Sequence, residues 1–409
     1  MPPERLKKKG IPPPFLPPHG GGRLGRRGSH RFIYYARVRI AIGRLDLGFS
    51  CGIIGLPNAG KSTIFNALSA AGAEVANYPF CTINPNQGIV PVPDDRLQKL
   101  AKLLHPEKVT PTTLEFWDIA GLVKGASQGE GLGNRFLGHI RNVDAVAHVV
   151  RCFEAENVVH VYGSLDPRRD IEIVQTELIL ADLQSVENRL TKTTHQAKVG
   201  EKKASSEIPI LQEVHRRLAM GLPAKGLTLT EEGSKILQSL DLLTAKPLFY
   251  VANVSEKELR ERRRVVQLEA KASEEKAPWV VICGDLEAEM AELSAEERTE
   301  FLKEMGLAES ALNQLIRVGY ELLHLITFYT TVGTELRAWT VPADTRVPQA
   351  AGKIHSDMER GFIRAEVISC QEFFKTGSMA VAREKGWIRV EGKDYVVQDG
   401  DILHIRFHA

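Results

Sequence analysis

The sequence has few cysteines, and those it has lie far apart. Cys51, Cys81, Cys152, Cys283 and Cys370 form no C-x-x-C pair and no Cys/His spacing of the zinc-holding kind. That argues against a disulfide framework or a structural zinc, and for a reducing compartment, the cytoplasm. No run of eighteen apolar residues occurs in the 409, so the sequence offers no helix able to span a membrane. Nor is either charge in large excess: 53 Lys and Arg against 51 Asp and Glu leave a formal net charge of +2. The balance hides an asymmetry, because residues 1–46 hold eleven bases and two acids, and from Leu47 onward 42 bases face 49 acids. A general nucleic-acid surface is thereby disfavoured and DNA is not an expected partner; a local basic patch is the remaining way to meet RNA.

The first thirty residues read KKK, PPP, GGG and RR. Such a mixture has too little apolar surface to offset the entropy of ordering it, so disorder is expected. Prolines and glycines spoil the amphipathic helix of a mitochondrial presequence, and a secretory apolar stretch is missing. A targeting peptide, a basic arm for RNA and a plain appendage remain as readings.

What is present, at 43% apolar and 25% charged, is enough for two or three globular domains. Short apolar runs at 49–54, 88–92, 114–119, 145–151, 247–251 and 279–283 read as strands. Helix-like segments separate them, the first at 61–71 with Ile64, Phe65 and Leu68 on one face. An α/β fold with a mostly parallel sheet is expected. The alternation is interrupted from 170 to 243, where Val174, Leu178, Ala181, Val186 and Leu190 follow a helical period, a Lys-rich run intervenes, and a second helix is predicted at 208–218. An antiparallel helical hairpin fits, as a mere insertion or as a projecting arm for a macromolecular partner. After a helical passage at 293–325, strands are expected at 326–332, 335–341, 362–369, 395–397 and 402–407, with one helix among them. The division is therefore a basic extension 1–46, a nucleotide-binding domain in two parts 47–169 and 244–324, a helical insertion 170–243, and a small domain 325–409.

The chemistry is carried by GLPNAGKS at 55–62, a G-x-x-x-x-G-K-S loop placed between a strand and a helix. Its backbone N–H groups suit a phosphate, Lys61 suits the β- and γ-phosphates, and the Ser62 hydroxyl suits Mg²⁺. Asn58, Ala59, Gly60, Lys61, Ser62 and Thr63 are the expected phosphate contacts. Asn58 is also a candidate ligand of K⁺, against a loop-bracing role. Asp118 ends an apolar strand and opens D-I-A-G, where its carboxylate suits Mg²⁺ and the Gly121 N–H a γ-phosphate. Thr82, in NYPFCTINPN, is placed for a first switch closing over the metal. Leu122 stands where a water-orienting Gln would be, which predicts slow intrinsic hydrolysis. His139 is the nearest alternative in sequence, against the more ordinary role of a surface or packing histidine, so Lys61, Thr82, Gly121 and His139 form the candidate catalytic set. The base reader departs from N-K-x-D: the stretch is Asn253-Val254-Ser255-Glu256. Losing the short carboxylate that pairs with guanine removes roughly 2 to 5 kcal/mol of specificity. Backbone groups at Cys283 and Gly284 are the further candidates for the base edge.

These stretches, with TELILADLQSVENRL, GKIHSDMERGFIRAEVI and GKDYVVQDGDILHIRF, resemble the YchF family, also called Obg-like ATPases, from about Phe49 to the end. The resemblance implies a P-loop domain interrupted by a helical, partly coiled-coil arm and followed by a β-grasp TGS domain. It implies binding and hydrolysis of ATP, with GTP less favoured, relaxed base choice through Asn253 and Glu256, use of Mg²⁺ and of K⁺ through Asn58, and association with ribosomes or the large subunit, ribosomal RNA included. A nucleotide-sensing ribosome adaptor, a GTP-preferring translation GTPase and an RNA-binding factor are the competing readings, and a monomer is expected. Ala59 replaces the family's usual Val, and LGFSCGIIG looks like a family amino terminus with Leu47 in place of Met. The expectation is a non-ATG start at Leu47 that leaves 1–46 untranslated. Intact-mass measurement of native protein should give a chain beginning at that position, and a mass including the extension would refute it.

Overall fold

The structure, a computed structural model, describes residues 49–71, 86–119, 132–155 and 160–408. The extension 1–46, Thr82, Gly121 and Leu122 lie outside the described residues.

The first sheet is built from β1 (Ser50–Ile54), β2 (Gln87–Pro91), β4 (Thr113–Asp118), β5 (Ala145–Arg151), β6 (Leu248–Asn253) and β7 (Trp279–Ile282), in the order β2-β4-β1-β5-β6-β7. All pairings are parallel except that of β2 with β4. β5 is buried at all seven positions, which is why AVAHVVR runs nearly unbroken rather than alternating: both faces of a parallel strand are covered. On one face α1 (Lys61–Ala71) packs Ile64, Phe65 and Leu68 against Cys51, Phe116, Ala147 and Phe249. Leu137 and Ile140 of α3 (Leu132–Arg141) cover the other face.

The second sheet holds β3 (Lys108–Thr110), β8 (Leu325–Val332), β9 (Glu335–Pro342), β10 (Phe362–Ser369), β11 (Arg389–Glu391) and β12 (Asp401–Phe407), in the order β11-β10-β12-β8-β9-β3. Its last member comes from far upstream. The chain leaves the first sheet after β2, forms α2 (Asp95–Leu104), adds β3 parallel to β9, and returns as β4. Leu97 and Leu100 of α2 pack on Tyr329, Leu336, Ile368 and Phe373. Arg96 grips Asp399 with two hydrogen bonds of 2.7 and 3.2 Å, Asp94 accepts from the Tyr329 hydroxyl, and Thr112 pairs with Thr340. Residues 95–110, expected inside the nucleotide-binding part, are thus built onto the other sheet, and neither α2 nor β3 was anticipated.

The interruption is more helical than its periodicity implied. α4 (Pro167–Lys198) starts at an Asp166 cap whose carboxylate accepts from Arg169 N at 3.1 Å, and runs well into the polar stretch. α5 (Lys202–Ala219) returns along it, with Arg189 bonded to Glu207 at 2.8 Å, and α6 (Glu231–Ser239) follows. Polar residues at 191–207 do not break the pair, because they lie on a solvated surface around Val186, Leu211 and Val214. Where the pair meets the first sheet, buried Asp182 accepts from Leu243 N, Thr244 N and the Thr244 hydroxyl at 2.7 to 2.9 Å.

Beyond it come α7 (Glu256–Glu261), α8 (Val265–Glu275), α9 (Gly284–Ala291), α10 (Ala295–Glu304) and α11 (Ala311–Leu322). The carboxy-terminal part has four helices, not the one expected: α12 (Val347–Ile354), α13 (Ser356–Arg360), α14 (Cys370–Thr376) and α15 (Met379–Glu384). The strand expected at 395–397 is only a single bridge, between Val396 and Arg346; the edge strand is β11 instead.

Glu287 in α9 is buried and accepts from Ala311 N at 2.7 Å, and burial pushes its carboxyl up to about 7. An unfolded chain releases that proton near pH 4.5, so the group favours the folded state below that pH, and the contribution, about 3 kcal/mol, is lost as pH rises towards 7. Urea unfolding at pH 5 and at pH 7.5 should show this slope in the parent and lose most of it in Glu287→Gln.

Candidate functional site

The parallel strands direct their carboxyl ends to one edge of the first sheet, where open α/β sheets receive ligands. β1 stops at Ile54 and Gly55 follows with φ +152°; a Cβ there would stand 2.3 Å from the Val149 carbonyl of β5. Only glycine lets the loop pass its neighbouring strand. Asn58 (φ 61°) and Gly60 (φ 87°) complete the turn, and α1 begins as Ile64 N bonds to Gly60 O at 3.1 Å. The first N–H groups of a helix have no partner within it, so this end offers donors and positive potential to an anion.

Lys61 is buried, and its Nζ donates to Leu56 O at 2.9 Å. Burial lowers its pKa and the neighbouring Asp118 carboxylate counteracts that. Ser62 is exposed, and its hydroxyl donates to Asp118 Oδ2 at 3.1 Å. The other carboxylate oxygen, Oδ1, is buried with no hydrogen-bond partner among the described residues. A hydroxyl beside an orphaned carboxylate oxygen fits a hard cation with oxygen ligands, so Ser62 and Asp118 suit Mg²⁺. Among the described residues no group of three or more His, Cys, Asp or Glu side chains is arranged to hold a metal, so such an ion would share its ligands with phosphate oxygens rather than sit in an all-protein cage.

Asn253, expected beside the base, braces the loop. Its Nδ2 donates to Ala59 O at 3.0 Å, its Oδ1 accepts from Gly284 N at 3.2 Å, and its own carbonyl accepts from Cys152 N at 2.8 Å. The fit is close enough that a Cβ on Gly60 would stand 2.0 Å from Nδ2. Val254 is 2% exposed among Val265, Leu268 and Leu286, and its N–H bonds to Ile282 O, so its side chain is core rather than site. Glu256 is exposed in the first turn of α7, after the Ser255 cap. Cys283 precedes α9 with a buried thiol whose pKa burial pushes up, and Gly284 opens the helix within 3.3 Å of Thr63, measured from where a Cβ would be. Asn58, Ala59, Gly60, Lys61, Ser62, Thr63, Asp118, Asn253 and Gly284 therefore meet at one edge.

His139 does not join them. It is exposed in the last turn of α3, and Asn142 and Asp144 beyond it lead into the amino end of β5, with Asp144 N bonded to Ser50 O at the start of β1. The phosphate loop lies at the opposite ends of those strands, so His139 cannot position a water there. The sequence reading also passed over Arg151 and Phe153. Arg151 Nε donates to Phe153 O at 3.1 Å and its guanidinium lies 4.7 Å from the ring centre, which holds Phe153 beside Gly60. Their position, at the end of the wholly buried run 145–151 and two residues beyond it, was the available signal.

A glycine loop between the first strand and first helix of such a sheet, with a buried lysine and a Ser–Asp pair at its mouth, defines a P-loop nucleoside triphosphatase. Residues 50–184 match the family described as "50S ribosome-binding GTPase". Residues 325–408 match YchF-GTPase_C, described as a protein of unknown function. The "Ribosome-binding ATPase YchF" of Bacillus subtilis (strain 168) is 52% identical over 366 residues, covering 89% of this chain and all of that protein. The protein of the same description from Escherichia coli O157:H7 is 49% identical over 363 residues, with the same coverage. Among solved structures, the Schizosaccharomyces pombe YchF GTPase superposes with a TM-score of 0.80 at 35% identity, covering 88% of this chain and 97% of that one. A GTP-binding protein from Pyrococcus horikoshii OT3, 18% identical, shares the fold with a TM-score of 0.57 over 88% of this chain and all of its own. The chain belongs to the YchF family of P-loop GTPases and ATPases.

Removing the brace should loosen the site from within. Asn253→Ala leaves the buried Ala59 carbonyl and Gly284 N–H without partners, at a cost of about 2 to 4 kcal/mol. Denaturant unfolding should show that loss, and hydrogen exchange should show faster exchange at 59–63 and 284–287.

Proposed function

We propose that the chain binds ATP with Mg²⁺ in the loop 55–62, GTP less well, hydrolyses it slowly to ADP and phosphate, and couples nucleotide state to association with the ribosome, through the large subunit and its RNA. The observation that carries this reading is the Asp118 Oδ1 beside Ser62, unpartnered among the described residues, next to a buried lysine that donates to the loop's own Leu56 carbonyl. Lys61 would exchange that carbonyl for phosphate oxygens. Ser62 and Asp118 would hold Mg²⁺, which supplies charge neutralisation to the γ-phosphate and its leaving oxygen. Thr82 and Gly121 are assigned to the γ-phosphate by their motifs, and Leu122 in place of a Gln accounts for slow water attack. Asn58, exposed at the turn, is the proposed K⁺ ligand. Glu256 at the mouth and the missing N-K-x-D lysine favour ATP over a guanine-specific site, and Cys283 and Gly284 offer backbone to the base edge.

The ribosome enters from the relatives described as ribosome-binding. The second sheet with its helices supports a β-grasp TGS domain over 325–409, and the pair α4 and α5 supports an arm over 170–243 between the nucleotide-binding parts 47–169 and 244–324. A monomer in the cytoplasm completes the proposal. A nucleotide-sensing adaptor with incidental hydrolysis is the second reading, favoured by Leu122.

Titration of the chain from Leu47 onward with fluorescent ATP and GTP, in Mg²⁺ with K⁺ and then Na⁺, should give tighter ATP binding, stronger in K⁺. Lys61→Ala should weaken it at least tenfold. Tighter GTP binding would move the translation-GTPase reading to first place.

A further inference from the structure

Where the chain leaves β5 and β6, one arginine joins the two departing segments. Arg151 and Asn253 end these strands opposite each other, and Cys152 N bonds to Asn253 O at 2.8 Å. From there one segment runs over Phe153 and Glu154, while the other enters α7 through the Ser255 cap. Arg264, the residue before α8, reaches back over this division, and its Nη2 donates to Glu154 Oε1. Its own placement is set by Glu258 of α7, whose side chain is 5% exposed: one carboxylate oxygen accepts from Arg264 N and the other lies 3.5 Å from Nη1. Leu259, the next residue, packs on the cluster that holds Val265 and Leu268, which seats α7 against α8. Glu154, by contrast, has a side chain 75% exposed. It follows Phe153, whose ring lies 4.0 Å from where a Cβ on Gly60 would stand. A buried carboxylate, a guanidinium and an exposed carboxylate thus form a chain that ends one residue from the flank of the phosphate loop. An ion pair that opens to solvent in this way adds little to folding. What it fixes is the distance between 152–154 and α7.

We infer that Arg264 is a positioning residue for the nucleoside half of the ligand: by holding Glu154 it keeps 152–154 at a set distance from α7 and against the phosphate loop, and so shapes the space open to base and sugar. The inference rests on the proposed nucleotide site and deepens it by naming what sets that space. The carboxylates it engages, Glu154 and Glu258, both lie outside the loop 55–62, so its action falls on the nucleoside and not on the phosphates. A planar guanidinium can serve two carboxylates on different elements in fixed geometry, whereas an ammonium is a single point charge. Charge alone would act in another way. As a plain negative charge near an anionic ligand, Glu154 weakens the binding of any polyphosphate, and its removal tightens it. As one end of a clamp, its removal loosens the wall and weakens the binding of nucleotides only.

The test compares the full chain with its Glu154→Gln and Arg264→Lys variants, in Mg²⁺ and about 150 mM KCl, where exposed charges beyond about 8 Å are screened. Glu154→Gln removes an exposed carboxylate and Arg264→Lys keeps a positive charge beside Glu258, so both should fold, with urea unfolding of the first the same as that of the parent. Fluorescent ATP and GTP should each bind both variants about threefold to tenfold more weakly, the cost of a site no longer held in its bound shape. Inorganic tripolyphosphate, read by its displacement of fluorescent ATP, should bind all three proteins within about twofold, because the loop is untouched. Amides 152–155 should exchange hydrogen faster in both variants, and those at 59–63 should not. Tighter binding of ATP and tripolyphosphate alike in Glu154→Gln, with no change in Arg264→Lys, would reveal a plain charge effect and overturn the inference. Equal weakening of ATP and tripolyphosphate would overturn it also, since the phosphate loop itself would then be disturbed. A parent that prefers ATP, with both folded variants indistinguishable from it, sinks this inference and leaves the proposed function standing. A parent that prefers GTP sinks the ATP reading, and leaves this inference standing if both variants lose nucleotide affinity and keep tripolyphosphate.

Discussion

One carboxamide holds the nucleotide site in shape. Asn253 ties the phosphate loop through Ala59, the first turn of α9 through Gly284 and the end of β5 through its own carbonyl. These three segments come from positions near 59, 152 and 284, far apart in the chain. The sheet beneath supplies the distance, since β5 and β6 are parallel and in register to their last residues, Arg151 opposite Asn253. A side chain of another length would not span it, and a Cβ on Gly60 would fill the space it occupies. The same bonds fix where the Asn253 carboxamide stands relative to the loop and to α9.

The second organising feature is the excursion from β2 to β4. It leaves the sheet that holds Asp118, contributes α2 and β3 to the other sheet, and comes back to form the strand that ends in Asp118. The two-pronged Arg96–Asp399 contact and the buried Tyr329 fasten it, with Asp94 shared between Arg96 and the Tyr329 hydroxyl. A displacement of the second sheet is therefore carried by covalent chain into the strand that ends beside the phosphate loop.

Much of this was legible in the sequence and some was not, for identifiable reasons. The central strands of the first sheet declare themselves because they are buried on both faces, and 145–151 is the clearest case. The loop at 55–62 is legible because its chemistry needs glycine at fixed places. α2 was missed although its Asp94 cap and amphipathic pattern were present, because a single local helix gives no sign of the sheet it will join. β3 has three residues and takes its identity wholly from β9, so no local pattern marks it. The polar run 191–207 does hold the turn between α4 and α5, at 199–201, but both helices extend into it, because Thr, Lys and Gln on a solvated helix face do not stop a helix. His139 was drawn to the site by closeness in sequence, whereas an α/β unit carries the chain to the far edge of the sheet before the next strand begins.

β3 also bears on the order of assembly. Thr110 is held by Glu335, 225 positions further along the chain. On a translating ribosome the early segment has no edge to join until that stretch has emerged, roughly 10 to 45 s later at 5 to 20 residues per second. Through that interval Leu97 and Leu100 have nothing to cover them, and the nucleotide-binding half is a nascent intermediate with an apolar helix exposed. A chain truncated before Glu335 would stay in that condition, with the apolar side of α2 facing water.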